Sequence, residues 1–68
     1  MIKLGPRQLE IAKLRAKGMK AKDIASTLGI TESTVRSSVS IIYIKLGVNN
    51  VVDLINALES YNEENSTS

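Results

Sequence analysis

The chain has 68 residues, enough for one small domain that buries about 60% of the surface exposed by its unfolded form. It contains no cysteine and no histidine, which excludes disulfide bridges, thiolate nucleophiles, histidine acid–base catalysis and the usual Cys/His metal sites. The carboxylates are scattered and form no calcium-type loop, so we expect no enzyme activity, no metal and no cofactor. No signal peptide or membrane-length apolar run is present, and we expect a cytoplasmic protein.

The charges are divided unevenly along the chain. All nine basic residues lie before position 46, where three acidic residues oppose them, so this part carries a net charge of +6. The remaining residues include four acidic side chains and no basic one. A basic body with an acidic end indicates an anionic partner for the body, although a lopsided solubilising surface would give the same count.

Four helices are predicted from the apolar periodicity and from the residues that begin and end each segment. Pro6 suits the first helical position, because its missing N–H would have no partner there. Thr31 and Asn50 are candidate N-caps of the third and fourth helices, and Gly29 and Gly47 are candidate stops. The predicted helices cover residues 6–17, 21–28, 32–46 and 51–60.

The apolar residues of the third helix follow steps of four, three and four, which places them on one core-facing line. They are Val35, Val39, Ile42 and Leu46. The chain shows no strand-type alternation and no hairpin signal, so the predicted class is all-α with four helices. Residues 61–68 are polar and aperiodic, and we expect a flexible acidic and polar tail after a domain of residues 1–60.

The second and third predicted helices are joined by three residues, an arrangement typical of a helix-turn-helix. Gly29 lets the chain reverse, Ile30 can tuck against the core, and Ala25 is small enough for closely crossing helices. In such units the second helix lies in the major groove of DNA, with its N-terminal half nearest the bases. The third helix is therefore the predicted recognition helix.

The side of this helix opposite its apolar line is rich in hydroxyl groups. It carries Ser33, Arg36, Ser37 and Ser40. Small serines let a helix approach DNA closely, and arginine pairs with guanine or with a phosphate. An ordinary solvated face is the alternative, but serine is a mediocre helix former and such faces favour Glu, Lys and Gln. The pattern therefore favours nucleic-acid contact.

Ordered motifs extend this interpretation over most of the chain. They are Pro6-Arg7, Glu10-Ile11, Ala16-Lys17-Gly18, Lys22-Asp23-Ile24-Ala25, Ile30 to Arg36 and Lys45-Leu46-Gly47-Val48. Each motif alone is weak, but the ordered set at these spacings is specific. From Leu4 to Leu58 the chain resembles, in one gapless register, the DNA-binding domain of the LuxR/GerE (NarL/FixJ) family of bacterial transcription regulators.

The resemblance implies a four-helix fold whose third helix reads DNA and whose fourth helix commonly supports dimerisation. It implies base contacts by Arg36, Ser37 and Ser40, to which the spacing adds Ser33. The DNA-backbone contacts that it implies are Lys22, Thr34, Ser38 and Lys45.

The apolar stripe of the fourth helix is the candidate homodimer interface. Its members are Val51, Leu54, Ile55 and Leu58. We expect Leu54 and Leu58 to pack on the domain's own core as well, which leaves Val51 and Ile55 as the better interface candidates.

Two features depart from the family pattern. Ile41, Ile44 and Val51 stand where polar or basic residues are frequent, which predicts weaker non-specific DNA binding or an added apolar contact surface. Most members carry this domain after a receiver or ligand-binding domain, whereas few residues precede it here, and we expect a stand-alone form.

We predict a sequence-specific transcription regulator, bacterial or phage, that binds double-stranded DNA as a homodimer at the nucleoid. The alternative is a protein-interaction module that heterodimerises with, and antagonises, a larger LuxR-type regulator. The thin set of cations and the apolar substitutions favour that alternative. A sigma-factor-like promoter contact is less favoured, because the segment from Lys45 to Val48 fits the LuxR family better.

Overall fold

A computed structural model describes the backbone of residues 3–66 and the side chains of residues 3–61. Within these ranges the chain forms four helices and no strand, as predicted. The helices are α1 (Pro6–Ala16), α2 (Ala21–Leu28), α3 (Glu32–Leu46) and α4 (Val51–Ser66). The predicted bounds of α2 and α3 are confirmed, and α1 ends one residue before its predicted end.

The core is aliphatic and draws on all four helices. Its buried members are Leu4, Ile11, Ala12, Ile24, Ala25, Val35, Ile42, Leu54 and Leu58. Val39 and Leu46, which complete the predicted apolar line of α3, are half-buried and pack against this cluster. No polar side chain in the described part of the chain is buried. Apolar burial therefore holds the helices together.

Left-handed glycines end α2 and α3, as predicted. Gly29 has φ 69° and ψ 35°, and the next residue, Ile30, donates its N–H to the carbonyl of Ala25 at 3.0 Å. Gly47 has φ 68°, and Val48 N–H donates to the Tyr43 carbonyl at 2.9 Å. These bonds satisfy carbonyl groups that the last helical turn leaves without partners.

Side-chain caps begin α3 and α4, also as predicted. The Thr31 hydroxyl accepts from the backbone N–H of Thr34 at 3.1 Å. The Asn50 side-chain carbonyl accepts from Asp53 N–H at 2.8 Å, and its amide donates back to the Asp53 carboxylate at 2.9 Å. Each cap satisfies one N–H of the first turn and fixes where the helix begins.

The predicted end of the fourth helix at residue 60 is wrong, because α4 continues to Ser66. Residues 61–66, part of the segment predicted to be a flexible tail, continue α4, and residues 67–68 lie outside the described part. Tyr61 explains part of the difference: it packs against the core, and its hydroxyl accepts from the Leu4 backbone N–H at 3.1 Å. This contact joins the start of the chain to α4 beyond the predicted boundary.

Gly29→Ala tests the turn between α2 and α3. A Cβ built on Gly29 meets no atom within 4 Å, so the cost of the substitution comes from the left-handed backbone conformation alone. We expect the free energy of unfolding to fall by about 1–2 kcal/mol. Urea denaturation followed by circular dichroism measures this change.

Ser26→Ala is the control for this substitution, since Ser26 is exposed within α2 and alanine is the better helix former. We expect it to be neutral or slightly stabilising. Equal stabilities of Gly29→Ala and the parent would contradict the role given to the positive φ angle.

Candidate nucleic-acid interface

The α2 and α3 helices form a tight unit joined by residues 29–31. Ile24 and Ala25 of α2 are buried, and Ile30 in the turn is half-buried against the core. The small side chain of Ala25 and the reversal at Gly29 allow the two helices to cross closely. This is the geometry of a helix-turn-helix with α3 as its second helix.

The outward side of α3 carries the predicted base-contacting residues, here named the serine face: Ser33, Arg36, Ser37 and Ser40. All four are exposed. With about 100° of rotation per residue they share an arc of about 100°. Val35 and Ile42 lie on the opposite side of α3 and are 0% and 1% exposed. The structure therefore brings the four residues together on one solvent-facing surface.

Arg36 is held by an ion pair within α3. Its guanidinium donates to the Glu32 carboxylate one turn earlier. The side chains are 72% and 40% exposed, so the pair is solvated and contributes about 1 kcal/mol or less. A competing phosphate or base edge can therefore displace Glu32 at little cost.

The predicted DNA-backbone contacts occupy less uniform positions. Lys22 is exposed in the first turn of α2, and Thr34 is exposed in the first turn of α3. Ser38 is half-buried. Lys45 is also half-buried, and its Nζ donates to the side-chain carbonyl of Gln8 at 3.0 Å, which links the end of α3 to α1. Thr34, Ser38 and Lys45 share one flank of the serine face, within about 40° of arc.

The opposite flank of the serine face contains a groove that the sequence reasoning missed. We call it the cationic groove. It is lined by Arg15, Lys20, Ala21, Arg36, Val39 and Ser40, and its volume is about 370 Å³. Arg15 and Lys20 come from the end of α1 and the residue before α2, so tertiary packing and not sequence spacing brings them beside α3.

The predicted dimer stripe of α4 divides between core and surface. Leu54 and Leu58 are 0% and 5% exposed, so they belong to the core and offer no surface to a partner. Val51 is half-buried and Ile55 is 37% exposed. An exposed apolar neighbour that the stripe did not include, Val52, is 67% exposed.

Two isoleucines lie exposed in the C-terminal half of α3. Ile41 is 44% exposed and Ile44 is 78% exposed. Ile44 lies three turns after Ser33 and points within about 20° of the same direction. The outward side of α3 therefore changes from hydroxyl groups in its first half to apolar groups in its second.

The described residues were also compared with the requirements of a metal site and of a membrane-spanning helix. Among the described residues, no three acidic, histidine or cysteine side chains come together as candidate metal ligands. Over the same residues, no single helix is long and apolar enough to cross a membrane. The segments Glu32–Leu46 and Val51–Tyr61 pass that test of length and composition as a pair, with a bend of 64° between them.

Comparison with known proteins places the chain among bacterial regulators. Residues 3–58 match the family described as bacterial regulatory proteins, luxR family. The chain is similar to the transcriptional regulatory protein YdfI of Bacillus subtilis (strain 168), with 40% identity over 52 residues. That match covers 76% of this chain and 24% of the relative, so the chain spans about a quarter of the relative's length. No solved structure gives a significant match.

The helix-turn-helix and these matches define a DNA-binding domain of the transcription-regulator class. The chain belongs to the luxR family of bacterial regulatory proteins. The predicted family, the all-α fold and the helix-turn-helix class are thus confirmed. This family is one of regulators and not of enzymes.

Glu32→Gln tests the ion pair on the serine face. The substitution frees Arg36 and removes a negative charge from the surface that would face DNA. We expect affinity for duplex DNA at low salt to rise by roughly threefold to tenfold. The free energy of unfolding should fall by no more than about 1 kcal/mol. Fluorescence anisotropy with a labelled duplex and urea unfolding measure the two quantities.

Glu10→Gln is the matched control, because Glu10 lies 3.7 Å from Arg7 and is 57% exposed in a similar pair on α1. Its effect on DNA affinity should be smaller. A rise in affinity of the same size for both variants would show a general charge effect and contradict the specific role of the pair in α3.

Proposed function

We propose that this domain is a sequence-specific DNA-binding transcription regulator that places α3 in the major groove and acts as a homodimer. One observation carries the proposal. The exposed serine face lies opposite the buried Val35 and Ile42, on the second helix of a helix-turn-helix. Packing fixes α3 in the rotation that presents this face outward.

The chemistry of the serine face suits base reading. Three small hydroxyl side chains beside one arginine allow close approach of the helix, and each hydroxyl can donate or accept a hydrogen bond. Arg36 can form two parallel hydrogen bonds to O6 and N7 of guanine. Exchange of the Glu32 carboxylate for a guanine edge keeps the guanidinium paired throughout. Ser33, Ser37 and Ser40 complete the proposed base contacts.

Cations and hydroxyl groups around this face support contacts with the DNA backbone. Lys22 is exposed at the start of α2, where a helix N-terminus also favours phosphate. Thr34 and Ser38 line one flank of the serine face with Lys45. The bond from Lys45 to Gln8 uses one of the three N–H groups of its ammonium, which leaves two for a phosphate.

The small size of the domain supports the proposed homodimer. One helix-turn-helix module buries limited surface on DNA, and paired modules on two half-sites gain both affinity and site length. Val51 and Ile55 are the α4 residues of the predicted stripe that remain accessible, and Val52 extends them. We propose these three side chains as the centre of the interface, supported from within by Leu54 and Leu58.

The proposed DNA partner also suggests a location and a boundary. We propose that the protein is cytoplasmic and nucleoid-associated. We propose a DNA-binding module of residues 1–60 as predicted, extended to include Tyr61 because of its contact with Leu4.

Arg36→Ala tests the base-reading assignment. We expect preference for the selected site over a scrambled duplex to fall by roughly tenfold to a hundredfold, because one bidentate pair is lost. Helical content should not change, since the side chain is exposed. Selection from random duplexes with the purified parent supplies the site, and anisotropy titrations of both duplexes measure the preference.

Arg7→Ala is the control for this loss, because Arg7 is exposed on α1 and its removal changes the net charge equally. It should weaken binding to both duplexes alike and leave the preference intact. Full preference in Arg36→Ala would overturn the assignment of Arg36 to base contact.

Ile55→Asp tests the proposed homodimer. A carboxylate in an apolar interface costs several kcal/mol, so we expect the variant to sediment as a monomer at concentrations where the parent is dimeric. Sedimentation velocity measures the mass, and circular dichroism checks folding. Ile44→Asp is the control on α3 and should remain dimeric. Dimers of equal stability in Ile55→Asp and the parent would contradict the proposed interface.

A second candidate function is an antagonist that heterodimerises with a larger LuxR-type regulator. The exposure of Ile41 and Ile44 favours it, because this apolar pair interrupts the outward side of the recognition helix. The site-selection experiment separates the candidates. A recovered duplex site supports the regulator. The antagonist is supported if no duplex site is recovered and if the parent forms a one-to-one complex with a larger LuxR-type regulator that Ile44→Asp does not form.

A further inference from the structure

Of the residues that line the cationic groove, only Arg36 and Ser40 have been assigned a contact so far. The other four lining residues are the apolar Ala21 and Val39 and the cations Arg15 and Lys20. Because Arg36 is paired with Glu32, Arg15 and Lys20 are the lining cations available to a ligand. Two such cations with no lining acid attract an anion.

Both cations of the α1–α2 side have hydrogen-bonding capacity to spare. The Nη1 atom of Arg15 donates to the Met19 carbonyl at 2.9 Å, which holds the guanidinium in place at the end of α1. The guanidinium has five N–H donors, so several remain for a ligand. Lys20 is exposed, and no acidic residue lines the groove beside it. The Arg15 side chain is thus held in place by a backbone carbonyl, whereas the Lys20 side chain can change its conformation to reach a ligand.

The position of the groove beside α3 indicates which anion it would bind. Thr34, Ser38 and Lys45 occupy one flank of the serine face, and the groove occupies the other, about 100° or more away around α3. A helix in the major groove of DNA, which is about 12 Å wide, runs between the phosphates of both strands. Of the backbone contacts proposed above, only Lys22, at the start of α2, lies outside the Thr34 flank. Arg15 and Lys20 add two cations on the side of α3 opposite that flank.

We infer that the cationic groove binds a phosphodiester group of the DNA strand opposite the Thr34 flank, with Arg15 and Lys20 as its donors. The inference rests on the proposed function, because it takes the occupant from the DNA that the serine face contacts. Arg36 and Ser40 belong to both the serine face and the groove, so a DNA strand that contacts them lies next to the groove. The phosphate contact fixes the register of α3 and carries no sequence information itself.

Lys20→Gln is the test variant, because Lys20 is exposed and its removal leaves the Arg15 bond to Met19 intact. The affinity of the full chain is measured at several salt concentrations, for the selected duplex and for a scrambled one. We expect the magnitude of the slope of log K against log salt to fall by about 0.9 for each bound protomer. Affinity should fall by roughly threefold to tenfold for both duplexes, because a phosphate contact does not discriminate sequence.

Lys13→Gln is the matched control, because Lys13 is an exposed lysine of α1 that does not line the groove. It changes the net charge equally and should change the slope less. If Lys20→Gln and Lys13→Gln behave alike while the parent binds DNA, the groove inference is overturned and the proposed function stands. A parent chain that binds no duplex overturns both.

Neutral methylphosphonates provide a second measurement that depends on position. They replace single phosphates along each strand of the selected duplex, one at a time. At one phosphate per half-site, the substitution should weaken the parent by roughly threefold to tenfold and have little effect on Lys20→Gln. If every methylphosphonate weakens the parent and Lys20→Gln equally, no phosphate is paired with Lys20, and the groove inference is overturned.

Discussion

The rotation of α3 about its own axis is the constraint on which the proposed DNA interface depends. Val35 and Ile42 are sealed in the core at 0% and 1% exposure, and no other rotation of the helix would bury both. That burial contributes on the order of 2 kcal/mol for each side chain, whereas the exposed serines contribute little to folding. The inner side of α3 is therefore set by stability, and its outer side is available for recognition.

The turn before α3 sets how α2 and α3 are placed relative to each other. Gly29 closes α2 in the left-handed region, and the Thr31 cap begins α3 two residues later. Because both ends of this turn are fixed, the crossing of the two helices is fixed too. Lys20, the residue before α2, is thereby held on the side of α3 that carries Arg36 and Ser40, while its exposed side chain can adjust. The glycine that ends α2 therefore also affects where Lys20, at the other end of that helix, lies relative to α3.

The sequence predicted what depends on local chemistry. Apolar periodicity and capping residues predicted the first and last residues of α2 and α3 correctly. This was possible because a C-terminal glycine and an N-terminal threonine cap act within one helical turn. The prediction from sequence failed where contacts between distant residues determine the structure. The α4 helix extends past residue 60, where the Tyr61 hydroxyl is hydrogen-bonded to the Leu4 backbone. The cationic groove was missed for the same reason, since Arg15 and Lys20 meet Arg36 only after α1, α2 and α3 have packed. The division of the α4 stripe between core and surface was anticipated from Leu54 and Leu58, but Val52 was not.

The proposed DNA-reading surface of α3 is short, and its length determines which contacts would supply the free energy of DNA binding. Beyond Ser40 the outward positions are Ile41 and Ile44, which cannot bind phosphate, and Lys45 is partly engaged by Gln8. The proposed base contacts, from Ser33 to Ser40, therefore span about two turns and include one arginine. Electrostatic attraction to phosphates supplies most of the affinity in such cases. Cations on both flanks of a two-turn reading surface therefore matter more here than they would on a longer recognition helix.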